Sequence, residues 1–138
     1  MKYLLDTNVL SESVKTSPQK SVLKLTERHQ HEIATAAPVW HELFYGCQRL
    51  PISRKREILE TFLHDVLKPN MTILPYDDRA AEWQAKERAR LTSLGQMHSF
   101  VDGQIAAVAK VNVLILVTQN TFDFKEFSGL KLENWHMK

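Results

Sequence analysis

The first six residues constrain the fold more than any other stretch. Tyr3, Leu4 and Leu5 form a short apolar run that reads as a buried strand. The run ends abruptly at Asp6-Thr7-Asn8, and Val9-Leu10-Ser11-Glu12 then starts a helix. A carboxylate at the carboxyl tip of a buried strand, just before a tight polar turn, lies where open α/β sheets collect their ligands. Thr7 and Asn8 are the expected caps of the next helix, leaving Asp6 to face a crevice. The alternative is that Asp6 is itself only a turn or cap residue, and this stretch alone does not separate the two.

Elements alternate along the rest of the chain. Ser17 caps a helix that Pro18 opens, with Val22, Leu23 and Leu25 apolar and Arg28-His29-Gln30-His31 closing it. Ile33-Ala34-Thr35-Ala36 is a second strand. Pro38 opens a helix whose apolar stripe is Val39, Trp40, Leu43, Phe44, Cys47 and Leu50. Pro51 stops it. Ser53 caps a further helix with Ile58, Leu59, Phe62, Leu63, Val66 and Leu67 on one face, broken by Lys68-Pro69-Asn70. Thr72-Ile73-Leu74 is a third strand, and Asp77 or Asp78 caps a long polar helix running to Leu94 and Gly95. Asp102 begins a helix carrying Ile105, Ala106 and Ala109. Val113 to Val117 then reads as a central strand buried on both faces, and Leu130-Lys131-Leu132 as a final edge strand.

Composition narrows the class. At 138 residues, 43% of them hydrophobic and 25% charged, the chain reads as one globular domain over residues 1–138. No apolar run approaches the roughly 20 residues that span a membrane. Asp6 interrupts the first apolar run too early for a signal peptide. One cysteine, Cys47, excludes an internal disulfide and fits a reducing compartment, so the expected location is the cytoplasm. A net charge of +2 is compatible with a nucleic-acid partner without demonstrating one.

Strands separated by helices imply a parallel sheet with helices on both faces, and chemistry collects at the carboxyl ends of its strands. Asp6 follows the first strand, and Asp123 follows the fourth through Thr118-Gln119-Asn120. Asp102 joins them if its helix starts at that same end. Glu42 lies roughly 110° round the helix from the centre of its apolar stripe, at about 100° per residue. With Gly46 leaving space one turn later it can project into a crevice, although most such glutamates are solvated boundary residues. Four carboxylates without lysine or arginine between them repel by about 3 kcal/mol per pair, at ~5 Å and an effective dielectric near 20. A fold keeps such a cluster when a cation occupies it, and all-oxygen ligation selects Mg²⁺ or Mn²⁺ over zinc. The histidines show no ligand spacing, and Cys47 belongs to an apolar stripe.

Leu4-Leu5-Asp6-Thr7-Asn8-Val9-Leu10-Ser11-Glu12 resembles the opening of PIN-domain ribonucleases, specifically the VapC-type toxins of bacterial toxin–antitoxin pairs. The likeness continues through Trp40-His41-Glu42-Leu43-Phe44-Tyr45-Gly46, Asp102-Gly103-Gln104-Ile105-Ala106-Ala107 and Thr118-Gln119-Asn120-Thr121-Phe122-Asp123-Phe124, and closes at Leu132-Glu133-Asn134-Trp135. Four motifs in order are specific where each alone is weak. The resemblance implies a three-layer α/β/α domain around a parallel sheet. It also implies Asp6, Glu42, Asp102 and Asp123 as catalytic, Mg²⁺- or Mn²⁺-binding acids, cleaving RNA by metal-activated water attack. Thr7, Asn8, Thr118 and Asn120 border that site. Implied partners are an RNA substrate of the tRNA or rRNA class, a cognate antitoxin, and a second copy in a homodimer or antitoxin hetero-oligomer, with no membrane. Gln119 departs from the family, where many members carry arginine.

Two other readings compete. Phosphoaspartyl phosphatases also place an aspartate after strand one but need a second acid two residues on, where this chain has Asn8. A nuclease fold that only binds would usually have lost one of the acids, and all four are here. On the long helix, Arg79, Lys86 and Arg90 fall along one side and could track a phosphate backbone, against the plainer reading of a solvated face. Glu87 lies on the apolar side of that helix and therefore needs a polar partner, with Arg90 in reach.

Overall fold

A computed structural model describes residues 1–137. Its five strands are β1 (Tyr3–Leu5), β2 (Ile33–Ala36), β3 (Thr72–Leu74), β4 (Ile115–Val117) and β5 (Leu132–Glu133). All neighbouring pairs are parallel, in the order β3-β2-β1-β4-β5. The flanking helices are α1 (Thr7–Leu10), α2 (Lys20–Arg28), α3 (Ala37–Gln48), α4 (Arg54–Phe62), α5 (Asp78–Ser93), α6 (Phe100–Val111) and α7 (Thr121–Phe124). Successive strand residues point to opposite faces. Leu4 and Leu5 are nevertheless both fully buried, as are Leu116 and Val117, so both faces of the sheet are covered. This is the three-layer α/β/α arrangement the sequence implied.

The order of the sheet decides where a site can lie. From β1 the chain moves outward to β2 and β3, then returns to the other side of β1 for β4. The direction of winding reverses between β1 and β4, which opens a crevice beyond their carboxyl ends. The start of α6 belongs to the same end. Its run Ala106-Ala107-Val108-Ala109 is fully buried, small enough for the helix to lie close on the sheet. Gly103 lets α5 approach α6 at its first turn, because a Cβ there would stand 2.5 Å from the Gln84 amide nitrogen. Gln84 is fixed at both ends, accepting from the Tyr76 hydroxyl at 2.5 Å and donating to the Phe100 carbonyl at 3.0 Å.

Several boundaries differ from those read in the sequence. The second helix starts at Lys20, and Ser17 does not cap it. The acceptor comes from far outside the helix: Glu12 Oε1 takes the Gln19 N–H at 2.8 Å. The strand expected from Val113 begins at Ile115, because α6 continues to Val111 and Val113 lies in the reversing turn at φ 56°. The last strand is Leu132–Glu133, set by the pairing of Leu116 with Leu132 and Val117 with Glu133. The expected apolar face from Ile58 to Leu67 is only partly used, with Leu63 buried but Ile58 and Val66 exposed. Pro69 has no N–H to continue a regular helix. The chain accordingly leaves α4 through a widened turn at Leu63–Leu67 and a tight one at Lys68–Asn70, where the Asn70 side chain donates to the Val66 carbonyl at 2.7 Å.

Glu12 ties both ends of the chain together. It is 1% exposed, accepts from Lys15 Nζ at 2.5 Å, and lies 3.2 Å from His136 Nε2. Close by, Trp135 packs edge-on against Tyr3 and stacks on His29. The Lys15 bond and the Gln19 N–H hold the Glu12 carboxyl down to about 2, from an ordinary value of 4.5. A lowered carboxylate stabilises the fold fully above its unfolded value and loses that contribution as the pH falls towards its folded one. Glu12→Gln is expected to cost roughly 1.5–3 kcal/mol near neutral pH. In urea melts the gap from wild type should narrow as the pH drops from 4.5 towards about 2.

Candidate active site

Asp6 is the fixed point of the crevice. It is 6% exposed at the end of β1, and its own carboxylate caps α1, with Oδ1 accepting the Thr7 N–H at 2.8 Å. Cap and crevice residue, set against each other in the sequence, are therefore one residue. Oδ2 accepts from the Thr118 hydroxyl at 2.8 Å and more weakly from Asn8 Nδ2 at 3.4 Å. Thr7 and Asn8 are not caps, and their side chains are used across the site. The Thr7 hydroxyl donates to Glu42 Oε1 at 2.8 Å, and Asn8 Oδ1 accepts the Gln119 N–H at 3.0 Å. Thr118 is fully buried and its Oγ1 also accepts the Asn120 N–H at 3.0 Å. A continuous polar network thus runs from the end of β4 to the start of α1 and on to α3.

Asp102 does not begin its helix. Ser99 is the cap, its Oγ accepting the Asp102 N–H at 3.0 Å, and Asp102 is the third residue of α6. A helix N-terminus by itself favours an ionised carboxylate by about 0.3–1 kcal/mol. Here other forces win. Burial, followed by the negative charges of Asp6, Asp123 and Glu42, pushes Asp102 up to about 6 from 3.8. Burial also raises Asp6, against the bonds from Thr118 and Thr7, and Glu42 adds to the rise. The four acids therefore share one electrostatic field, although Glu42 and Asp123 are exposed where Asp6 is buried. Among the described residues none of the four is ion-paired to a lysine, arginine or histidine.

The donor set is all oxygen and uncompensated, which suits a hard divalent cation. Among the described residues no three acidic, histidine or cysteine side chains are gathered tightly enough to enclose an ion. Mg²⁺ seldom needs that, since it keeps several waters and takes one or two carboxylates directly. Asp6 is buried and Asp102 half-buried, whereas Glu42 and Asp123 are exposed, so Asp6 and Asp102 are the residues that would hold such an ion.

A cleft of about 580 Å³ opens beside the acids, lined by His98, Ser99, Asp102, Phe122, Asp123 and Lys125 among others. Phe122 and Lys125 were not singled out in the sequence. Their spacing of three around Asp123-Phe124 was the available signal, since it puts both on one side of a short helix. The three basic residues read as a stripe on α5 differ in their surroundings. Arg90 grips Glu87 with both arms, at 2.9 and 3.0 Å, and donates to the Glu126 carbonyl at 2.8 Å. Glu87 is 7% exposed and also accepts the Ser128 N–H at 2.7 Å, so it has the polar partner it required. Arg79 lies 3.4 Å from Asp77 and Lys86 3.8 Å from Glu82, both as surface pairs. None of the three lines the cleft beside Asp102 and Asp123.

The raised value at Asp102 has a sign that can be measured. Between 3.8 and about 6 the unfolded chain is ionised while the fold still holds a proton, so stability falls as the pH rises through that window. Metal-free Asp102→Asn is expected to melt above wild type near neutral pH, with the advantage gone below 3.8. Equal melting at neutral pH would mean that the acids do not share a field.

Comparison with known proteins gives a consistent result. The family model of the PIN domain matches residues 3–130. The tRNA(fMet)-specific endonuclease VapC of Shigella flexneri is 30% identical over 136 residues, covering 98% of each chain. VapBC2 of Rickettsia felis, solved bound to a DNA fragment from its promoter, superposes with a TM-score of 0.85 at 28% identity, covering 98% of this chain and 99% of that one. VapBC-5 of Mycobacterium tuberculosis, a member of the VapBC family of toxin-antitoxin systems, gives a TM-score of 0.60 at 31% identity, over 74% and 79% of the two chains. The chain therefore belongs to the PIN domain family, with VapC ribonucleases as its relatives.

Proposed function

We propose that this protein is a Mg²⁺- or Mn²⁺-dependent endoribonuclease, the toxin of a toxin–antitoxin pair. The observation that carries the reading is the Asp102 carboxyl, raised to about 6 by burial and by Asp6, Asp123 and Glu42, with no cation paired to any of the four among the described residues. Such a cluster is costly until a divalent ion occupies it. Asp6 and Asp102 would hold the ion, with Glu42 and Asp123 beside them, and it would supply activation of water and compensation of phosphate charge.

The chain's own groups supply position. Asp6 is held by the Thr7 N–H and the Thr118 hydroxyl, so its carboxylate is oriented before any ligand arrives. Thr7 restrains Glu42, an exposed side chain that would otherwise sample many rotamers. Asp102 and Asp123 stand on one wall of the cleft, which is wide enough for a phosphodiester to approach from solvent. The VapC name of the Shigella relative supports RNA as the substrate, with tRNA one member of the class. The VapBC relatives support a cognate antitoxin as partner and a hetero-oligomer with it. No helix among the described residues is long and apolar enough to cross a membrane, and we assign the activity to the cytoplasm.

The test is cleavage of mixed RNA by the purified protein. Activity should vanish in EDTA and return with Mg²⁺ or Mn²⁺. Asp6→Asn and Asp102→Asn should each remain folded and lose cleavage by at least roughly a hundredfold, the scale on which loss of a site's electrostatic stabilisation is felt. Full activity in EDTA would refute metal dependence. Binding of RNA without cleavage under any divalent ion would make the protein a binding module instead.

A further inference from the structure

One cation–aromatic pair lines the cleft that contains Asp102 and Asp123: Lys125 Nζ lies 4.0 Å from the centroid of the Phe122 ring. Packing does not explain Phe122. The core anchors of this segment are Phe124 and Phe127, at 1% and 4% exposure, whereas Phe122 is 73% exposed with Lys125 already over it.

We infer that Phe122 and Lys125 form a nucleotide subsite, in which the ring stacks an unpaired base of a single-stranded RNA and the ammonium meets the adjoining phosphate. The inference rests on the nuclease reading above and adds how the substrate strand is held. A polyanion entering beside Asp102, Asp123 and Glu126 needs a local positive charge, and Lys125 is the lysine in the lining of that cleft. Every base offers a π-face, so an open aromatic ring next to a phosphate-binding cation is the minimal platform for a single strand. Base-paired RNA cannot present a face in this way, which makes loops and splayed nucleotides the fitting substrates. The cleft volume of about 580 Å³ suits one nucleotide, within the roughly 300–1,000 Å³ typical of ligand pockets. A protein segment seated here would desolvate three carboxylates with one lysine to answer them, which disfavours that occupant.

The experiment uses a short single-stranded oligoribonucleotide carrying fluorescent aminopurine, whose emission is quenched on stacking. Binding is read in the Asp6→Asn background to prevent turnover, and cleavage of the same strand is read in the wild-type background. Phe122→Leu should remove the quench and raise KM roughly tenfold with kcat little changed, while Phe122→Trp should keep both close to wild type. Lys125→Gln should weaken binding and reduce the salt slope by about 0.7, one phosphate contact on a single strand. Cleavage by wild type with quench and KM unmoved in Phe122→Leu would overturn the subsite and leave the nuclease reading standing. Absence of cleavage by wild type under any divalent ion would sink both. An altered oligomeric state in Phe122→Leu, with the quench intact, would assign the ring to a protein contact and also overturn the subsite.

Discussion

The structure depends on keeping one carboxylate, Asp6, both dry and oriented at the seam between β1 and β4. Burial alone would drive it to the neutral form. The Thr118 hydroxyl and the Thr7 N–H oppose that by bonding to its two oxygens. Those donors come from opposite sides of the seam, so the bonds that hold the charge also join the strands that carry it. The reversal of winding in the sheet places this seam at the centre, between helices that begin at the same end. Asp102 reaches it on α6 because Gly103 lets that helix pack tightly on α5.

Charge is distributed against the protein's overall balance. The chain carries a net +2, yet its crevice is acidic, and several basic side chains are paired elsewhere. Arg90 neutralises a buried glutamate, Lys15 pairs with Glu12, and Lys86 and Arg79 pair with acids on their own helix or its cap. A small excess of positive charge over the molecule thus coexists with a local excess of negative charge at the crevice.

What the sequence made legible was periodicity and local spacing. The buried strand before Asp6, the helical stripe that places Glu42, and the order of the acidic motifs could all be read from neighbours within a few residues. The differences arise where a distant residue supplies the partner. Ser17 looks like a cap, but Glu12 and the C-terminal segment organise the start of α2. Asp102 looks like the first residue of a helix, while Ser99, in a stretch with little pattern, provides the capping oxygen. Arg90 reads in the sequence as one of three cations along a helix face, and the partners it and Glu87 take at Glu126 and Ser128, almost forty residues on, leave no local trace. Phe122 and Lys125 carried only their spacing of three, which places them on one side of the chain but does not show that a cleft opens there.

The bond from Thr118 to Asp6 spans 112 positions of sequence. A contact of that separation forms late, because the chain between must be ordered first. β1 and its neighbour β4 are separated in the chain by β2, β3 and six helices. The crevice is thus assembled by the insertion of a central strand that lies far along the chain from its partner. A nascent chain holding Asp6 and Glu42 alone has half a charge cluster and no Thr118 to orient it. Because the acids and the hydroxyl that orients them come from both sides of that insertion, the crevice is completed in the same step that completes the sheet.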